Sequence, residues 1–139
     1  MTFKIEEKLA KVIQTSWFTL EKGIYVYTKV PEVRSPEKHL IVTRDADEIT
    51  VVTELSNLSS LGDYERNPDN WLLLNIKCGN PFYCEGFLAA IASVFASNGI
   101  DITLTSTYTN DYVLVQEQNI EPSITLLQDI GFTFKDNRI

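Results

Sequence analysis

The fold is decided by residues 71–134, which begin WLLLNIK (Trp71–Lys77) and continue through GFLAAIASVFAS (Gly86–Ser97). Apolar residues alternate in the first segment and recur at helical spacing in the second, so a strand followed by a helix is predicted. The same reasoning predicts, in order, a strand at Ile100–Thr105, a tight turn at Tyr108–Asn110 and an antiparallel return strand at Asp111–Gln116.

The remainder of this half completes a recognisable order of elements. Ile120, Ile124 and Leu127 mark a second helix, which has Pro122 in its first turn. The segment Phe132–Phe134 can then close the sheet. The order β-α-β-β-α-β is the split-βαβ or ferredoxin-like pattern, so we expect an α+β fold with antiparallel sheets.

The first half is a less regular version of the second. A helix is predicted near residues 4–14, a strand at Ile24–Val30, and a hairpin from His39–Thr43 and Ile49–Thr53. The two prolines in Pro31–Lys38 exclude a full helix there. Residues 56–70 are rich in turn formers, so we predict two tandem modules, 1–62 with its leading helix and 63–139. Whether the first module is a decayed repeat of the second stays open.

Composition excludes several classes of function. The chain has 139 residues, 44% of them hydrophobic, and a net charge of −7. It has no cationic surplus with which to displace phosphate counterions, so nucleic acid and anionic membranes are disfavoured as partners. No apolar run approaches the ~20 residues of a membrane helix, and the N-terminus lacks a secretion-signal pattern. We therefore expect a cytoplasmic protein.

The chemistry-bearing residues are few. Cys78, Cys84 and His39 do not supply the ligands of a common zinc site, so we predict no metal and no cofactor. A Cys78–Cys84 disulfide is possible, but reduced thiols are expected in the cytoplasm. Cys84 beside a helix start would have a lowered pKa, yet nothing places His39 near it as a base. No phosphate-loop motif is present. We predict no catalytic residues and no enzyme.

Four segments together resemble the ACT domain family: FYCEGFLAAI (Phe82–Ile91), NGIDI (Asn98–Ile102), STYTNDYVLV (Ser106–Val115) and, more loosely, TRDADEITVV (Thr43–Val52). They are most similar to small duplicated-ACT proteins and to the CASTOR-type arginine sensors. The resemblance implies two ACT-like modules and a regulatory protein that binds an amino acid, often at an interface between paired units.

The resemblance also implies where a ligand would bind. Family ligands lie at the loop between the first strand and first helix, which here is Cys78–Glu85 leading into Gly86. Backbone N–H groups at a helix start suit a carboxylate, and Gly86 lets a ligand approach the backbone closely. By resemblance, Asp111 matches a carboxylate that reads a cationic side chain. The candidate ligand-binding residues are Asn80, Phe82, Glu85, Gly86, Phe87, Thr107, Tyr108 and Asp111.

Several alternatives remain open at this stage. Asp111 can instead serve turn chemistry, Thr107 can belong to a half-exposed strand, and Glu85 can simply favour a helix start. The acidic second half slightly favours a basic amino acid as ligand. The partners expected are a small amino acid and either a second copy of the chain, as a dimer, or a regulated protein. The competing function is an ACT-fold interaction or dimerisation module without a ligand.

Overall fold

The computed structural model describes residues 3–137, which form helices, strands and short 3-10 segments. The helices are α1 (Glu7–Gln14), α2 (Phe87–Ser97) and α3 (Ile120–Asp129). The strands are β1 (Trp17–Leu20), β2 (Tyr25–Val30), β3 (Ile41–Arg44), β4 (Ile49–Glu54), β5 (Glu65–Arg66), β6 (Trp71–Lys77), β7 (Ile102–Ser106), β8 (Asp111–Gln116) and β9 (Thr133–Phe134). The 3-10 segments are Pro36–Lys38, Leu55–Leu61 and Glu117–Asn119.

The chain divides into two compact units. The first unit contains the chain up to Lys22 and again from Leu72 onwards, and the second is Gly23–Trp71. These limits differ from the modules predicted at 1–62 and 63–139. The difference arises because α1 and β1, whose residues fall within the predicted range 1–62, pack with the C-terminal half of the chain.

The sheet of the first unit has the strand order β7-β8-β6-β1-β9. The predicted order β6-α2-β7-β8-α3-β9 is present, with β8 lying between β6 and β7 as in a split βαβ unit. The fold is therefore α+β, as predicted. However, β1 is inserted between β6 and β9, pairing antiparallel with β6 and parallel with β9. The sheet is mixed, so the expectation of antiparallel pairing alone was wrong.

Both helices of the βαββαβ order and α1 bury apolar residues in one core. Leu9, Val12 and Ile13 of α1 are 5% exposed or less, because they recur at helical spacing on one face. They pack in the same cluster as Ile91 of α2 and Leu127 of α3. None of the helices within residues 3–137 has both the length and the apolar character that a membrane span requires.

The second unit keeps the strands of the predicted N-terminal module without its leading helix. Its strands pair in the order β3-β4-β2-β5, and the hairpin of β3 and β4 turns at Asp45. The Asp45 Oδ1 atom accepts the backbone N–H groups of Asp47 and Glu48 at 2.8 and 2.9 Å, which fixes this turn. The prolines limit Pro31–Lys38 to the single 3-10 turn Pro36–Lys38, as predicted.

Candidate functional site

A pocket of about 400 Å³ lies in the first unit where the β6–α2 loop, the N-terminal end of α2 and the β7–β8 turn meet. Its size suits a small organic molecule. The lining residues are Cys78, Phe82, Tyr83, Cys84, Gly86, Phe87, Leu88, Ala89, Ser106, Thr107, Tyr108, Thr109, Asn110 and Asp111.

The β6–α2 loop is attached to the end of α1 by two hydrogen bonds. The Gly79 N–H donates to Ser16 Oγ at 2.7 Å, and the Asn80 N–H donates to Thr15 Oγ1 at 3.0 Å. A Cβ atom at Gly79 would overlap the side chain and backbone of Thr15, so only glycine fits this approach. Residues near the N-terminus therefore set the shape of a loop that lines the pocket.

The N-terminal end of α2 opens into the pocket at Gly86. Gly86 has φ +87°, a left-handed conformation that glycine adopts without strain, and a Cβ there would lie 3.3 Å from Leu9 and Phe3. The Phe87 N–H donates to the Cys84 carbonyl at 3.2 Å. Within the described chain no side chain caps this helix end, and both Leu88 and Ala89 of its first turn line the pocket. The N-terminal end thus presents backbone donors and a partial positive charge.

The opposite side of the pocket is formed by the β7–β8 turn and carries acceptors. Ser106 Oγ donates to Asp111 Oδ1 at 2.6 Å, across the last pair of the β7–β8 ladder. Asp111 is half-buried, so its carboxylate is partly screened from solvent. The Asn110 side-chain oxygen is buried and has no hydrogen-bond partner among residues 3–137. Because this atom is inaccessible to solvent, a molecule in the pocket would not contact it in this conformation of Asn110.

The negative charge of Asp111 affects the pKa of Cys78, which also lines the pocket. Burial is the main cause that raises the pKa of the Cys78 thiol above its usual value. The negative charge of Asp111 and the neighbouring Cys84 act in the same direction, while hydrogen bonds from the backbone of Tyr83 and Cys84 oppose them. A raised pKa makes Cys78 a weaker nucleophile at neutral pH.

Exposed aromatic side chains surround the mouth of the pocket. Tyr83 is 82% exposed and Tyr108 is 93% exposed, although each lines the pocket. The rings of Phe82 and Tyr83 lie 4.3 Å apart. Tyr83 has φ +65°, a conformation that costs a non-glycine residue about 1–2 kcal/mol. We call Phe82, Tyr83 and Tyr108 the aromatic rim.

The structure brings most of the candidate ligand-binding residues together but leaves out two of them. Phe82, Gly86, Phe87, Thr107, Tyr108 and Asp111 all line the pocket. Asn80 instead lines a separate surface depression beside α1, because its N–H is held by Thr15. Glu85 extends into solvent with its carboxylate 3.8 Å from Lys8 Nζ, and its side chain is 91% exposed.

Thr107 lines the pocket, and its hydroxyl forms two hydrogen bonds with the backbone of Asn110. Its Oγ1 donates to the Asn110 carbonyl at 3.3 Å and accepts the Asn110 N–H at 3.0 Å. Sequence reasoning did not include Asn110, Leu88 or Ala89 among the candidates. The helical spacing that predicts α2 places Leu88 and Ala89 in its first turn, which was the signal available for them.

A second cleft, of about 530 Å³, lies in the second unit between β2, the β3–β4 turn and Asp63–Glu65. It is larger but lined mainly by charged side chains that pair with each other. Lys29 Nζ lies 3.9 Å from a carboxylate oxygen of Glu48 and 4.0 Å from one of Glu65. In the described part of the chain, no group of three or more histidine, cysteine or acidic side chains is arranged to hold a metal ion.

Comparison with known proteins identifies the segment that carries the pocket. Residues 66–129 match the ACT domain family. The match covers a little less than half of the chain and includes α2, β7, β8 and the whole pocket lining. No curated protein matches the sequence significantly.

Solved structures share the ACT-like fold over nearly the whole chain. A Vibrio cholerae protein of unknown function, described as a possible transport protein, has a TM-score of 0.78 at 20% identity, covering 90% of this chain and 97% of its own. An Agrobacterium tumefaciens protein has a TM-score of 0.71 at 22% identity, covering 89% and 95%. The ligand-free regulatory subunit of aspartate kinase from Thermus thermophilus has a TM-score of 0.59 at 9% identity, covering 86% and 97%. These similarities show ACT-like modules as in aspartokinase regulatory domains.

Proposed function

We propose that this ACT-like protein is a regulator that binds a free amino acid in the pocket beside Gly86. One observation carries the proposal. The pocket has backbone donors at the start of α2 on one side and the acceptor Asp111 on the other. A free α-amino acid carries a carboxylate and an ammonium group a few ångströms apart, and each would find a complementary group in this pocket.

The electrostatics favour one orientation of such a ligand. Its carboxylate would lie at the N-terminal end of α2, where unpaired N–H groups and the helix dipole stabilise an anion. Its ammonium group would donate to Asp111, whose second carboxylate oxygen is left after Ser106 occupies Oδ1. The reverse orientation would bring the ligand carboxylate against Asp111.

Regulation would follow from the two-sided construction of the pocket. A ligand that contacts both the start of α2 and the β7–β8 turn favours the arrangement in which both sides reach it. The resulting population shift would be read by a partner protein or by a second copy of the chain. The fold shared with an aspartate kinase regulatory subunit supports a regulatory role. The dimer and the cytoplasmic location expected from the sequence stay predictions.

Thermal unfolding measured with each of the twenty amino acids tests this proposal. A ligand present at about 100 times its Kd adds about 2.7 kcal/mol to the free energy of unfolding. Asp111→Asn should abolish or strongly reduce the response, whereas Glu85→Gln, which removes a carboxylate outside the pocket, should leave it unchanged. If none of the twenty amino acids raises Tm, the proposed function is wrong.

The second candidate function is an interaction module, and strand β7 favours it. β7 pairs only with β8 among the described strands and has the uncharged sequence ITLTS. Two other edge strands carry charges within the strand: Arg44 in β3, and Glu65 and Arg66 in β5. Strand β9 carries none, and one charge adjoins each of β7 and β9, Asp101 before β7 and Lys135 after β9. Charged residues within a strand usually protect an edge from pairing with another chain, and β7 contains none.

Self-association through β7 predicts a concentration-dependent mass in sedimentation without any amino acid. Thr105→Lys should then shift the protein to monomer, while Thr133→Lys on the β9 edge should not. A protein that stays monomeric at every concentration and responds to an amino acid supports only the first candidate.

A further inference from the structure

The walls of the pocket are mainly apolar. Phe82, Leu88 and Tyr108 contribute exposed hydrophobic or aromatic surface, whereas Phe87 and Cys84 are buried residues of the lining. Polar groups are confined to the two ends described above. A ligand bound by those ends would therefore place its side chain against aromatic and aliphatic groups, which gain most from burying another apolar surface.

The number of charged residues that line the pocket limits the charge that the side chain of a bound amino acid can carry. Asp111 is the only carboxylate among the described residues that line it, and no lysine, arginine or histidine lines it. A basic amino acid has two cationic groups, so one of them would be removed from water without an anionic partner. An acidic amino acid would bring a second carboxylate, for which the lining offers no cation.

We propose that the pocket selects an amino acid with a large uncharged side chain, aromatic or aliphatic. This inference rests on the proposed function, since it assumes that the pocket binds an amino acid. It contrasts with the basic ligand that the resemblance to arginine sensors suggests.

The aromatic rim supports selection for size. Tyr83 is held in a left-handed backbone conformation while its ring stays 82% exposed, so burial within the unit does not offset this strain. A large side chain in the pocket would cover Tyr83 and Tyr108, whereas the methyl group of alanine would leave both exposed. The volume of about 400 Å³ leaves room for a ring beyond the two polar ends.

Calorimetric titration with matched ligands tests the inference. Norleucine and lysine have side chains of similar length, but only lysine has a terminal ammonium group. We expect norleucine and phenylalanine to bind at least about tenfold more tightly than lysine and alanine, a difference of about 1.4 kcal/mol or more. Tyr83→Ala should weaken phenylalanine binding more than alanine binding.

A gain of charge provides the complementary test. Tyr108 is almost fully exposed, so Tyr108→Glu should fold normally and add a second carboxylate at the pocket mouth. This variant should move the preference towards lysine. If lysine or arginine binds the unmodified chain most tightly, or if alanine equals phenylalanine, the inference about ligand class is wrong while the amino-acid site stands. If no amino acid binds, the inference and the proposed function both fail.

Discussion

At the scale of single residues, Asp111 is the charged group of the pocket, and it interacts with both Ser106 and Cys78. Its carboxylate is held in place by Ser106 and acts on Cys78, the thiol with a raised pKa. Burial is the larger cause and Asp111 a smaller one, so removing the charge should lower the pKa of Cys78 only in part. The reactivity of the Cys78 thiol can therefore be used to measure the effect of the Asp111 charge in the pocket.

Asp111→Asn should speed the alkylation of Cys78 by iodoacetamide at pH 8, because a lower pKa gives more thiolate. The increase should be less than about tenfold, which would correspond to a full pKa unit. Mass spectrometry of the Cys78 peptide measures the rate, and Glu85→Gln serves as the control. An unchanged rate in Asp111→Asn would show that its charge does not reach Cys78.

The same thiol has a defined effect on stability. Its pKa is raised in the folded chain, so the unfolded chain ionises first as the pH increases. The stabilising contribution of Cys78 is present below pH 8 and is lost at higher pH. Cys78→Ala should therefore show a smaller decrease in the free energy of unfolding between pH 8 and pH 10.

At the scale of elements, the β6–α2 loop depends on the end of α1. Ser16 is 1% exposed, and its hydroxyl donates to the Val12 carbonyl at 2.8 Å while accepting the Gly79 N–H. A single hydroxyl thus joins a helix end to a loop more than sixty residues later in the chain. Removing it leaves a part-buried N–H without a partner, which costs more than the loss of an exposed hydrogen bond.

Ser16→Ala should lower the free energy of unfolding by about 1–3 kcal/mol, measured by urea denaturation. The matched control is Thr125→Ala, whose exposed hydroxyl donates to the Glu121 carbonyl at 3.3 Å. We expect that control to change stability by about 0.5 kcal/mol or less. Equal effects of the two substitutions would contradict the role given to Ser16.

At the scale of the whole molecule, the first unit is built from two separated parts of the chain. β1 lies between β6 and β9, and α1 contributes Leu9, Val12 and Ile13 to the core. The segment 63–139 alone lacks that strand and that helix. It would leave β9 without β1, its one strand partner within residues 3–137, and expose apolar residues of α2 and α3.

The segment 63–139 expressed alone should show no cooperative unfolding by circular dichroism. A variant in which residues 23–71 are replaced by Asn-Gly, so that this dipeptide links Lys22 to Leu72, should unfold cooperatively. The reason is that β1 and β6 are antiparallel, so a two-residue turn can connect them. Cooperative unfolding of 63–139 alone would instead support the domain boundary predicted from the sequence.

Much of the fold can be predicted from the sequence because the spacing of apolar residues within each helix and strand matches the repeat of that element. The alternation in Trp71–Lys77 and the helical spacing in α2 give the type and order of the elements from residue 71 onwards. β1 was missed because Trp17–Leu20 is too short to establish a pattern. Among the candidate site residues, Glu85 falls outside the pocket because its side chain extends into solvent, and Asn80 because its N–H bonds to Thr15, which is distant in sequence.

The sequence by itself determined the α+β class, the β-α-β-β-α-β order and a glycine at the helix start. These depend on spacing and backbone conformation within short segments. Only the tertiary structure decided which distant segments share a unit, where β1 inserts, and that acceptors from the β7–β8 turn lie across a pocket from the donors of α2. Such juxtapositions depend on packing and hydrogen bonds between residues far apart in the chain, which local patterns do not encode.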